Sequence, residues 1–166
     1  MFLGFEKTGN RVEDDSVFLD AIASYLLDSC EVSKEWVFVA NLSNISALLY
    51  SYIDSINWVG FYLLEGDSLV LGPFQGEPAC MIIKVGRGVC GTAAKEKHVI
   101  NVPDVSKFPG HIACSSKSKS ELVVPIIAND SLIGVIDIDS PVLNRFSKED
   151  EELVVRVAQI VAERRY

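Results

Sequence analysis

Two apolar runs, residues 120–127 and 132–139, flank Asn129-Asp130. Asparagine and aspartate tolerate the positive φ of a tight turn, so this segment reads as a β-hairpin. Its second strand carries Asp137 and Asp139 within Leu-Ile-Gly-Val-Ile-Asp-Ile-Asp. Aspartate is disfavoured in strands, and residues at i and i+2 share one face. A turn centred on Asn129-Asp130 sets Glu121 opposite the region of Ile138, to within one residue. A register of even sum puts Glu121 on the same face as the two aspartates. Three carboxylates that close raise at least one pKa and keep one acid protonated near neutral pH. The competing reading is a solvated hairpin end; the flanking apolar residues argue against it.

The remaining periodicities predict what surrounds that hairpin. Residues 16–28 place Leu19, Ile22, Ala23, Leu26 and Leu27 on one helical stripe. Ser33 is placed to cap a second helix through Trp36, Val37, Ala40, Leu48 and Leu49, with Asn41 and Asn44 as poor helix residues inside it. Residues 57–64 and 68–73 form a hairpin around Glu65-Gly66-Asp67, followed by a strand over 81–85. A short helix over 91–97 and a strand over 99–102 come next. Ser147 caps the last helix, with acids at 149–152 in its first turn and Arg164 and Arg165 at its end, an order that suits the helix dipole. The sum is an α+β domain, an antiparallel sheet with helices packed on it, spanning residues 1–166 as one unit.

Charge narrows the partners. Lys and Arg total 15 against 23 Asp and Glu, a net charge of −8, so nucleic acid and anionic membranes are poor partners. At 49% hydrophobic residues the chain is not of the disordered class. No apolar run is long enough to span a membrane, and the first ten residues lack the pattern of a secretory signal. A cytoplasmic, reducing location is expected, where cysteines are thiols or redox-active.

Three of the four cysteines, Cys80, Cys90 and Cys114, stand in glycine- or serine-rich settings at predicted element edges. There a thiol can reach solvent and another thiol, which points to redox chemistry more than to core packing. Cys90, just ahead of the predicted helix, would have its thiolate favoured by the dipole. Cys30 reads as structural. Gly86-Arg87-Gly88-Val89-Cys90-Gly91 lacks the ending of a phosphate loop; its glycines bring backbone close to a pocket. His111 lies three residues before Cys114, but no CxxC or HExxH accompanies it, so no metal is expected. His98 reads as a surface residue. Trp58, Gly60 and Tyr62 share a strand face, either as core or as an aromatic wall for a small ligand.

Taken together, LVLGPFQGEPAC, GRGVCGTAA, NVPDVSKFPGHIACSSKSKSE, GVIDIDSP and RFSKED, in this order, resemble the free methionine-(R)-sulfoxide reductases. The resemblance runs from about Ser46 to about Asp150. It implies the GAF fold, with a six-stranded antiparallel sheet. It also implies redox cysteines at Cys80, Cys90 and Cys114, with Cys114 as nucleophile, Cys80 as resolving partner and Cys90 second. The implied substrate pocket is Trp58, Tyr62, Glu121, Asp137 and Asp139. The implied substrate is free methionine sulfoxide, and the implied reductant is an external dithiol, thioredoxin, with no bound cofactor. A homodimer is suggested by the resemblance alone. The lysine- and serine-rich stretch 115–120 departs from the family pattern without removing a matched residue. A non-catalytic GAF module, sensing redox state or binding a small ligand in the same pocket, is the alternative.

Overall fold

Asn129 and Asp130 both adopt left-handed backbone, with φ of 48° and 61°, the pair of positive angles a two-residue hairpin turn of this type requires. The computed structural model describes residues 7–27, 33–112 and 116–164. Within them the order is α1 (Arg11–Tyr25), α2 (Lys34–Tyr52), β1 (Trp58–Glu65), β2 (Ser68–Gly76), β3 (Ile82–Lys84), α3 (Gly88–Glu96), β4 (Ile100–Val102), a 3-10 turn (Val105–Lys107), β5 (Ser120–Ala128), β6 (Ser131–Ser140) and α4 (Lys148–Glu163). The six strands form one sheet in the order β3-β2-β1-β6-β5-β4, with antiparallel neighbours throughout. The edge strands are only three residues long, which limits the backbone left open for pairing.

Strand alternation divides the sheet into two cores. Val59 and Phe61 of β1, Leu122, Val124 and Ile126 of β5, and Ile136 and Ile138 of β6 face α1, α2 and α4. The alternate residues Trp58, Tyr62, Val123 and Val135 face α3. Ile138 and Leu122 are wholly buried; full burial of such a side chain is worth roughly 1.5–3 kcal/mol.

Helix ends follow the expected chemistry. Ser33 accepts from the Trp36 amide. Ser147 accepts from the Asp150 amide while Asp150 accepts from the Ser147 amide at 2.9 Å, a capping box. Asn41, a poor residue for a helix interior, closes the chain after α1 instead: its Oδ1 accepts from the Leu27 amide at 2.9 Å and its Nδ2 donates to the Leu27 carbonyl at 3.0 Å.

Three expectations need correction. The first helix begins at Arg11, five residues earlier than its apolar stripe suggests: Arg11 pairs with Asp15, and the buried Asp14 carboxylate accepts from the Thr8 and Gly9 amides, which fixes its first turn. Leu27 and Ala23 are exposed and not on its buried face; Asp28 lies outside the described residues. Trp36, in the first turn of α2, is 68% exposed. The third helix begins at Gly88, so Cys90 lies inside it. Among the described residues no helix is long and apolar enough to cross a membrane.

Candidate active site

The register of three adjacent strands assembles the site. Glu121 of β5 stands directly opposite Asp139 of β6, and Asp139 opposite Trp58 of β1. One row further in, Asp137 faces Gly60. All point to the face that α3 covers. The turn pairs Ala128 with Ser131 and Ile127 with Leu132, and a register shift between Ile126 and Ile127, which the turn alone does not give, brings Ile126 opposite Gly134 and so sets Glu121 on the face of the two aspartates.

Gly60 is bare for a reason. A Cβ there would stand 2.6 Å from Trp58 Cη2 and 2.4 Å from Phe74 Cβ, so the indole lies over the Gly60 backbone. Trp58 stacks on Phe74 with centroids 5.4 Å apart and on Tyr62 at 6.0 Å. Its Nε1 donates to the Glu77 carbonyl at 3.0 Å. The Tyr62 hydroxyl donates to the Cys80 carbonyl at 2.9 Å, which ties the segment after β2 to the aromatic wall. Gly91 brings α3 against the end of β3: a Cβ there would stand 2.3 Å from the Lys84 carbonyl oxygen. That close approach sets Cys90, one residue before, over the acids, where its Sγ donates to Glu121 Oε1 at 3.8 Å.

One pocket is lined by Trp58, Tyr62, Cys90, Glu121, Asp137 and Asp139 together, with Asn57, Glu77, Arg87, His111 and Ser118 around them. Glu121 and Asp137 are buried and Asp139 half-buried. Among the described residues no lysine or arginine forms an ion pair with any of the three. His111 Nε2 lies 3.6 Å from Glu121 Oε2, and Asp137 Oδ1 is buried with no hydrogen-bond partner among the described residues. Burial, then the Asp139 charge, pushes the Glu121 carboxyl well above the usual range. Burial, then Glu121 and Asp139, does the same to Asp137. Asp139 is raised by burial to about 6, against the pull of Ser118 and His111. The solvated-hairpin reading therefore fails: these acids are enclosed, and they favour their protonated forms.

Cys90 is a correction. It is 4% exposed, and burial together with Asp137 and Glu121 drives its thiol pKa well above the ordinary value. The carboxylates a few ångströms away outweigh the helix terminus, so the expected solvent access and dipole-favoured thiolate do not hold. Cys80 is half-buried and disulfide-bonded. Cys114 and Cys30 lie outside the described residues.

Sequence reasoning missed Asn57, Phe74, Glu77, His111 and Ser118. Asn57 Nδ2 donates to Ser118 Oγ at 3.2 Å, joining β1 to the segment entering β5. His111 was singled out only as a weak zinc ligand. His98 is exposed, as expected.

Fold and pocket together define a class. Residues 18–164 match the GAF domain family, and the chain is a GAF domain. Its relatives narrow this further. It is 52% identical to the free methionine-R-sulfoxide reductase of Escherichia coli over 135 residues, 79% of this chain and 82% of that protein. It superposes with a TM-score of 0.87 on a Neisseria meningitidis free methionine-R-sulfoxide reductase solved in complex with its substrate, at 40% identity over 99% of this chain and 95% of that one. A substrate complex of the Staphylococcus aureus protein gives a TM-score of 0.82 at 46% identity, covering 92% and 95%. The chain belongs to the free methionine-R-sulfoxide reductase family.

Proposed function

We propose that this protein is an oxidoreductase acting on sulfur, reducing free L-methionine-(R)-sulfoxide to L-methionine. The observation that carries the reading is the enclosed trio Glu121, Asp137 and Asp139, facing an aromatic wall beside Cys80, in a chain of this family. Trp58 packs on the S-methyl group. Part of the acid trio holds the ammonium group of the free amino acid, and part supplies a proton to the sulfoxide oxygen.

The thiolate of Cys114 attacks the sulfoxide sulfur and the oxygen is protonated. Methionine leaves, and Cys114 keeps the oxygen as a sulfenic acid, so sulfur in the substrate is reduced and sulfur in the cysteine oxidised. The Cys80 thiol then displaces water from the sulfenic acid and forms the Cys80–Cys114 disulfide. An external dithiol, thioredoxin, reduces that disulfide by exchange. The disulfide-bonded state of Cys80 supports its resolving role. Cys90, held protonated in the acid cluster, is a poor nucleophile and remains second in line. No bound cofactor enters these steps. Cytoplasmic location and a homodimer belong to this reading as expectations.

The test is turnover of free methionine-(R)-sulfoxide with thioredoxin or dithiothreitol, followed by mass-spectrometric mapping of the disulfide after one turnover. Cys114→Ser should release no methionine even once. Cys80→Ser should release one equivalent and then stall. Equal rates on a peptide-embedded sulfoxide would overturn the closed, free-amino-acid site.

A further inference from the structure

We propose that Cys90, Glu121 and Asp137 form a binding site for one thiophilic divalent cation of the zinc class, which occupies the pocket when substrate is absent and competes with it. The competition rests on the substrate reading above; the site itself rests on geometry.

A sulfur and two carboxylate oxygens from these residues lie within 4.8 Å of one another. They come from three rigid elements, α3, β5 and β6, and all three side chains are buried. Asp137 is 7% exposed, lines the pocket, and its Oδ1 has no hydrogen-bond partner among the described residues. A buried carboxylate oxygen without a donor is costly, and a cation is the partner that removes the cost.

The spacing suits a tetrahedral ion. A sulfur about 2.3 Å and an oxygen about 2.0 Å from zinc lie about 3.5 Å apart at the tetrahedral angle. Cys90 Sγ is 3.8 Å from Glu121 Oε1, so small side-chain rotations close the site. The fourth position faces the pocket near His111, whose Nε2 stands 3.6 Å from the other Glu121 oxygen. The donor set selects the metal. A thiolate with two carboxylates suits a borderline-soft ion, whereas calcium and magnesium require six or more oxygens or near-ideal octahedral geometry. Binding releases the Cys90 proton, and any proton held by the carboxylates, to solvent. No short motif announces the site because its ligands come from three separate elements.

The experiment is titration of the reduced full chain with Co²⁺, read as the thiolate-to-cobalt charge-transfer absorption. One equivalent should bind, and Zn²⁺ should displace it. Cys90→Ser should abolish the thiolate band, while Cys80→Ser should keep it. Asp137→Asn should weaken Co²⁺ binding by about tenfold or more, which tests the site without touching a cysteine. Saturating free methionine should lower the apparent Co²⁺ affinity. A parent protein without the band, or a band surviving in Cys90→Ser, overturns the site; unchanged affinity in methionine overturns the competition. Loss of sulfoxide turnover alongside a normal cobalt band would sink the proposed activity and leave the cation site standing.

Discussion

Asp150 and Asp137 are both buried aspartates, 2% and 7% exposed, on opposite sides of the sheet. Asp150, at the start of α4, accepts from the Ser147 amide, from Arg145 Nη1 at 2.8 Å and from Arg11 Nη2 at 3.1 Å. Burial alone would raise its pKa, but these donors outweigh it and hold the carboxyl below its ordinary value. Asp137 pairs with no arginine or lysine among the described residues, and burial, then the acids Glu121 and Asp139, drives its pKa up. The fold completes the first carboxylate and leaves the second incomplete. Asp150 stabilises the structure, whereas the structure holds Asp137 in place at a cost. Groups kept at a cost next to a pocket are the ones a ligand or a reaction needs.

The sharpest way to break this contrast is to neutralise each acid in turn. Asp137→Asn should slow single-turnover methionine release by about 10²–10⁴-fold while urea unfolding at neutral pH shows equal or higher stability, because the cost of holding a buried carboxyl protonated at that pH has gone. Asp150→Asn should do the reverse, leaving single-turnover rates near the parent and costing about 1–3 kcal/mol by the same unfolding measurement. A destabilised Asp137→Asn with full activity would erase the distinction.

The pH dependence of stability should separate the two clusters by sign. Unfolded carboxyls titrate near about 4. Asp150 has a lowered folded pKa, so its contribution is present above that value and is lost as pH falls through the folded one. The pocket acids have raised folded values. They cost nothing while both states are protonated, and the penalty grows as pH rises through the unfolded value, reaching its full size for Asp139 above about 6. Asp139→Asn should therefore gain stability over the parent as pH climbs through that window, and Asp150→Asn should lose it. Urea midpoints across the range check both slopes. Parallel slopes would mean that Asp139 is solvated.

The smallest effect is expected at the rim. Lys117 Nζ pairs with Glu77 Oε1 at 2.5 Å, with both side chains more than half exposed. Such pairs contribute little, so Glu77→Gln should leave the melting temperature unchanged within error. A clear drop would show that the pocket mouth is as tightly held as the start of α4.

Much of this contrast can be read from the chain itself. Period-2 alternation places Asp137 and Asp139 on one face, and the Asn129-Asp130 turn brings Glu121 to within one residue of their row; the register shift at Ile126 and Ile127 is what then joins it to them. Ser147 and the acids after it announce the helix that holds Asp150. These signals are local: turn chemistry, capping and alternation each act within a few residues. The family resemblance likewise rests on short motifs in a fixed order.

What escaped the sequence is long-range. Arg11 reaches Asp150 from 139 residues away, His111 and Ser118 enter the pocket from the segment before β5, and Phe74 of β2 backs Trp58. Cys90 shows the reason most clearly. Its neighbours in sequence suggest an exposed, activated thiol, while its neighbours in space are two buried acids that hold its proton. Which face a side chain takes follows from its place in a strand or helix. Whether its charge is then satisfied depends on desolvation and on partners brought from every element around it, and that sum exists only once the sheet and helices have come together.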